Sequence, residues 1–191
     1  MSMGTAENTH ICPVLLAGTL DNFFRRMLQN PRKILNPFIR KGMTVLDLGC
    51  GPGFFTVEIA RMLDNSGKVI AADLQEGMLD KVRQKIKGTE FEKIIELHKC
   101  REEYVGLSEK VDFILAFYMI HEVSDKEKLF EELKSVLKPD GKIFIVEPKL
   151  HVSKRSFENM IEKVKGIGFH VSAIPGFSLS RAAVLTKSSL L

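Results

Sequence analysis

The chain has 191 residues, 45% of them hydrophobic and 27% charged, with a formal net charge of +4. This is the composition of an ordinary globular domain; it excludes repeat and low-complexity architectures, and the small charge excess neither requires nor excludes an anionic partner. Met1 to His10 lacks the pattern of a signal peptide, the longest apolar run (Phe113 to Ile120) is too short to cross a bilayer, and Cys12, Cys50 and Cys100 show no zinc spacing, so we expect reduced thiols, no metal and a cytoplasmic protein without membrane partners.

Residues 21–40 read as helical, interrupted at Asn30-Pro31 and Asn36-Pro37. They precede the first strand as a cap, so a single domain spanning 1–191 divides into a helical cap or lid (1–40) and a core (41–191). The lid would carry His10-Ile11-Cys12-Pro13, the apolar Val14, Leu15 and Leu16, and Asn22-Phe23-Phe24-Arg25-Arg26. Arg25, Arg26, Arg32 and Lys33 form a small basic cluster, of the kind that usually faces solvent.

The first strand is expected near 43–48, followed by Gly49-Cys50-Gly51-Pro52-Gly53 and a helix near 54–64 whose apolar residues recur at helical spacing. G-x-G-x-G removes Cβ from three turn positions, which permits positive φ and lets a ligand lie against bare backbone. A strand–glycine turn–helix unit is how open α/β sheets hold adenosine-containing cofactors at strand carboxyl ends. A second strand near 68–73 ends in Asp73, 22 residues after Gly51. A carboxylate there can accept from both ribose hydroxyls of AdoMet or NAD alike.

A helix near 76–87 and a strand near 93–98 follow, then Lys99-Cys100-Arg101-Glu102-Glu103. The fourth strand is expected near 111–117, with Tyr118-Met119-Ile120-His121-Glu122 as its exit. Ser124 and Glu127 read as a capping box for a helix near 125–137, and Lys138-Pro139-Asp140-Gly141 reads as the turn that stops it. A fifth strand near 141–147 ends in Glu147, with His151 shortly after. A helix near 153–166 then leads to short strands near 168–174 and 181–187, separated by the turn-like Pro175-Gly176-Phe177. Strands alternating with helices imply a parallel sheet, and two terminal strands without an intervening helix imply a hairpin.

The third glycine falls one residue earlier than in the dinucleotide fingerprint G-x-G-x-x-G. The turn, Asp73 and the downstream strings Met119-Ile120-His121-Glu122-Val123 and Leu137-Lys138-Pro139-Asp140-Gly141 together resemble the class I S-adenosylmethionine (AdoMet) methyltransferases. The resemblance spans roughly Lys41 to Lys187 and is nearest the group that includes the ubiquinone/menaquinone C-methyltransferases. It implies a doubly wound, Rossmann-like α/β fold: a seven-stranded, mostly parallel sheet with an antiparallel terminal hairpin strand.

The resemblance also implies roles. Gly49, Cys50, Gly51 and Gly53 would form the cofactor turn. Asp47 would tie down loop amides or reach the cofactor's ammonium; Leu74 and Met78 would pack on its adenine or ribose. Cys100 or Arg101 stands where relatives often carry an acidic adenine acceptor, a departure for which a backbone amide or Glu102 would substitute. Phe117 and Tyr118 offer π faces near the sulfonium, and His121 is the candidate base. The acceptor would be a small molecule between the lid and the His121 loop. The Asn/Asp-Pro-Pro-Tyr/Phe grip of nucleic-acid amine methylation is absent, so no nucleic-acid partner is expected. Cys12 suggests an arsenite acceptor, but the chain has too few other cysteines for one. A catalytically idle AdoMet-binding regulator and a nicotinamide-dependent oxidoreductase are the competing readings.

Overall fold

The computed structural model describes residues 31–173 and 179–188. The expectations placed on residues 1–30 and on Pro175-Gly176-Phe177 lie outside these. Chain order is α1 (Pro31–Leu35), β1 (Thr44–Leu48), α2 (Phe54–Leu63), β2 (Lys68–Asp73), α3 (Glu76–Ile86), β3 (Ile95–Lys99), β4 (Val111–Phe117), α4 (Lys126–Val136), β5 (Leu137–Pro148), α5 (Lys154–Gly166), β6 (Phe169–Ala173) and β7 (Ser180–Lys187). The strands form one seven-stranded sheet in the order β3-β2-β1-β4-β5-β7-β6. Strands β1 to β5 are parallel, and β7 runs antiparallel to both β5 and β6. The expected fold and terminal hairpin are therefore both present.

Both sheet faces are covered, which is why the central strands are apolar throughout rather than alternating. On one face Leu35, Ile59, Leu63, Leu79 and Val82 from α1, α2 and α3 pack on Val45, Val69 and Phe113. On the other, Phe130, Leu133, Met160 and Val164 from α4 and α5 pack on Leu46, Ile70, Ile114 and Ile143. Burying each such side chain contributes about 1.5–3 kcal/mol.

Between β3 and β4 no helix covers the sheet. His98 Nε2 instead contacts the Val105 carbonyl at 2.6 Å, and Glu132 of α4 accepts from the Val105 and Gly106 amides at 2.9 and 2.6 Å.

Two expected boundaries differ. The α4 N-cap is Asp125, whose carboxylate accepts from the Lys128 amide at 3.0 Å, so Ser124 and Glu127 do not form a capping box. Glu127 is drawn outward instead, to Lys163 of α5 at 2.6 Å. Lys138 to Gly141 do end the helix, but they belong to β5 rather than to a separate turn. Pairing with β4 jumps from Val111↔Leu137 to Phe113↔Lys142, so this segment bulges out of the ladder. The bulge is held by Lys138, whose ammonium lies 2.8 Å from both Asp112 oxygens, while Asp112 also accepts from the Thr44 amide at 2.7 Å.

Candidate active site

Strand order reverses at β1, which pairs with β2 on one side and β4 on the other. Open α/β sheets bind ligands in the crevice outside the carboxyl ends of strands at such a switch point. The glycine turn leaves β1 there. Its first two amides, of Gly49 and Cys50, donate to the Ala72 carbonyl at 2.8 and 3.0 Å, which pins the turn to β2.

The three glycines have separate duties. A Cβ on Gly49 would sit 2.8 Å from Cβ of Met119, and one on Gly53 would sit 2.9 Å from Val82. Those two glycines admit the β4 exit and α3. Gly51 has φ +52° and open space where a Cβ would be, with no protein atom within 4 Å. Its bare face is the one available to a ligand. Helix α2 starts at Phe54, after the N-cap Gly53, and no side-chain hydrogen bond caps it.

Asp73 ends β2 beside this turn. One carboxylate oxygen accepts from the Gly51 amide at 2.9 Å, the other from the Gln75 amide at 2.8 Å. Each keeps a lone pair for a ribose hydroxyl. Burial pushes the Asp73 pKa up, opposed by those same amide bonds. Met78 is buried in the first turn of α3, and Leu74 is half-buried, its carbonyl accepting from Lys99.

Asp47 is buried on β1 and accepts from the Thr56 hydroxyl at 2.6 Å. Burial raises its pKa to about 7. Thr56 thus holds Asp47 through its hydroxyl, and its backbone amide adds a second bond in the same direction. Cys50 and Cys100 are both buried, and burial pushes both thiols up, that of Cys100 to about 12. Neither is a ready nucleophile. The Cys100 amide donates to the Asp73 carbonyl at 2.9 Å. Arg101 turns outward, its guanidinium 5.3 Å from the Tyr104 ring centroid.

The β4 exit forms the opposite wall. Phe117 lies between Phe55 and Tyr118, with ring centroids 4.6 and 4.5 Å away. Tyr118 adopts φ +58°, the left-handed region that non-glycine residues rarely occupy, and its hydroxyl meets Ser180 of β7. Such strain is held only when its surroundings over-determine it, and it clusters at functional sites. A one-turn 3₁₀ helix, Ile120–Glu122, follows.

Here the structure assembles a pair that neither segment announces alone. Glu147, at the end of β5 and 1% exposed, accepts from the Ile120 amide at 2.9 Å; its second oxygen lies 2.7 Å from His121 Nδ1. That carboxylate raises the His121 pKa, against the opposing effect of burial. Nδ1 is therefore the protonated nitrogen of the neutral ring, which leaves Nε2 able to take a proton. The His151 ring lies edge-on at 5.5 Å between centroids.

Thr56, Met119 and Glu122 join the site without having been singled out. Glu122 is half-buried, and burial pushes its carboxyl up to about 7, with Asp73 and Glu147 adding in the same direction. Its position beside His121 was the available signal. Thr56 and Met119 carried none, since each is defined by a partner distant along the chain. Among the described residues no His/Cys/Asp/Glu group is placed to hold a metal ion. None of the described helices is long and apolar enough to cross a membrane.

A switch-point glycine turn, the Asp73 carboxylate beside it and an antiparallel β7 are the architecture of the class I AdoMet-dependent methyltransferases, whose cofactor is AdoMet. The chain belongs to the methyltransferase-domain family, which it matches over residues 39–175. It is 31% identical over 134 residues to the ubiquinone/menaquinone biosynthesis C-methyltransferase UbiE of Enterobacter sp. (strain 638), a match covering 70% of this chain and 52% of that protein. The UbiE protein of Cronobacter sakazakii matches to the same extent. The chain thus spans about half the length of these curated relatives. Among solved structures, a SAM-dependent methyltransferase from Aquifex aeolicus superposes with a TM-score of 0.81 at 28% identity, covering 92% of this chain and 98% of that one. A SAM-dependent O-methyltransferase from Thermotoga maritima shares the fold, with a TM-score of 0.67 at 18% identity over 90% of this chain and 72% of that one.

Proposed function

We propose that this chain transfers the methyl group of AdoMet to a small-molecule acceptor, with His121 taking the proton that the acceptor loses. The observation that carries this reading is the Glu147–His121 pair, 2.7 Å apart, on the same sheet edge as the open face of Gly51.

The residues present suit the cofactor. Gly51 offers bare backbone, Asp73 offers ribose acceptors, and the aromatic pair Phe117–Tyr118 lines the neighbouring wall. When bound, AdoMet supplies an electrophilic methyl on a sulfonium, and that chemistry belongs to the cofactor. The chain's own task is to bind, orient and exclude water. Glu147 holds the His121 ring with Nε2 free, and His121 then accepts the acceptor's proton at that atom. Asp47 ties β1 to α2 through Thr56, which supports the turn from below.

The named relatives are ubiquinone/menaquinone biosynthesis C-methyltransferases, so a carbon is a candidate acceptor atom here. The missing amine grip in the β4 exit supports an acceptor other than nucleic acid.

Two outcomes are expected in titration calorimetry. AdoMet and its demethylated product bind, while NAD gives no measurable heat; NAD binding tighter than AdoMet would overturn the assignment. Asp73→Ala weakens AdoMet binding roughly tenfold to several hundredfold, because each hydrogen bond to a charged acceptor contributes about 1.5–3 kcal/mol. Asp73 also anchors the Gly51 and Gln75 amides, so the loss includes turn order as well as ribose contacts. An unchanged dissociation constant would mean the ribose is held elsewhere.

A further inference from the structure

Beside the His121–Glu147 pair, a cleft of about 810 Å³ opens between the starts of α4 and α5. We infer that this cleft receives the acceptor through an anionic group, a carboxylate or a phosphate, with Lys126 as its counter-cation. The inference rests on the reading of the His121 edge as the acceptor side.

The charged groups of the cleft differ in what they already hold. Three acids line it: Asp125, Glu127 and Glu147. Asp125 accepts from the Lys128 amide at 3.0 Å, and Glu127 pairs with Lys163 at 2.6 Å. Glu147 holds the Ile120 amide and His121. Each acid is committed to a donor of the protein itself.

The donors do not balance in the same way. Lys126 donates to the Val123 carbonyl at 2.5 Å and has no carboxylate partner among the described residues. It is also the first residue of an 11-residue helix, where the positive end of the helix dipole disfavours a cation. Apart from the Val123 carbonyl, local structure therefore gives no reason for a lysine at this position. Its charge is felt at His121, where it opposes protonation while Glu147 and Glu122 favour it. His151 adds a second imidazole to the same wall. An anion entering here meets the Lys126 ammonium and the His151 ring, while Asp125, Glu127 and Glu147 each hold a donor of the protein and burial pushes the carboxyl of Glu122, beside His121, up to about 7. Charge-assisted hydrogen bonds of this kind are about twice as strong as neutral ones. The cleft would thus hold the acceptor by its charged end and leave its reacting atom beside His121.

The test uses the isotopically labelled full chain, with the demethylated cofactor bound and again without it. Sodium acetate and sodium phosphate are titrated separately against sodium chloride at matched ionic strength, following the His121 and His151 ring signals and the Val123 amide by NMR. Saturable shifts are expected with acetate, phosphate or both, and the active arm identifies the carboxylate or phosphate class. In Lys126→Met the affinity is expected to fall at least tenfold. No saturable shift with either anion, or shifts that persist undiminished in Lys126→Met, would overturn the inference. Calorimetry with the demethylated cofactor on the same samples separates the two levels. Loss of cofactor binding by the unaltered chain would defeat the methyltransferase reading, whereas the anion shifts, read in both states, test the cleft alone.

Discussion

Gly51→Val is expected to abolish measurable AdoMet binding while leaving the circular dichroism spectrum unchanged. The fold should survive because the added side chain meets no protein atom: nothing lies within 4 Å of the position a Cβ would take. The backbone, however, stands at φ +52°. A β-branched residue is strained there, by roughly 1–3 kcal/mol for a sparsely populated conformation. That strain weakens binding only as far as the free protein relieves it by letting the turn shift, at most about one or two factors of ten in affinity. The larger effect is direct, since the valine methyls would occupy the space assigned to the cofactor. Gly49→Ala and Gly53→Ala make informative contrasts. Their Cβ atoms would meet Met119 and Val82 under 3.0 Å in addition to their own left-handed strain, so these variants should lose thermal stability through a steric clash that Gly51→Val does not share. Normal AdoMet binding by a folded Gly51→Val protein would mean that the cofactor lies elsewhere.

His121→Ala is expected to lower turnover by roughly 10²–10⁴ with little change in AdoMet affinity, the range typical of a lost general base. Its pH dependence has a definite sign. The base is the neutral imidazole, so turnover should rise with pH as His121 loses its proton. Glu147 raises the His121 pKa above 6.5, which places that rise above the ordinary histidine value. Glu147→Gln should shift the rise to lower pH and reduce the plateau, because the amide neither stabilises the imidazolium as strongly nor enforces the Nδ1–H tautomer. Glu147 thus acts as a positioning residue, and a merely structural role would leave the pH profile in place. Since Glu147 also accepts from the Ile120 amide, a thermal melt of the Gln variant is needed beside the kinetics. Undiminished turnover in His121→Ala on an acceptor that must lose a proton would remove His121 from the reaction.

The sequence by itself determined the strand–glycine turn–helix unit, the acid at the end of β2, the alternation of strands and helices, and the terminal hairpin. All of these are written locally: apolar runs and helical spacing reach only a few residues, and a missing Cβ is a property of one position. Local signals also misplaced local features. Ser124 and Glu127 spelled a capping box, but Asp125 lay one residue closer to the helix amides, and Lys163 offered Glu127 an ion pair from another helix. Lys138 to Gly141 read as a turn, yet Asp112 on β4 fastens Lys138 and draws the segment into β5 as a bulge. Which of the three glycines keeps an open face is a matter of tertiary packing, because it depends on Met119 and Val82 arriving beside the other two. Only the tertiary structure joined His121 to Glu147, 26 residues apart. Sequence placed both on the ligand edge but left open whether they touch. The strand order places β4 and β5 side by side, so their exits converge and a buried carboxylate finds its donors in the neighbouring loop. Convergence of that kind is a consequence of topology, and no spacing within either segment encodes it.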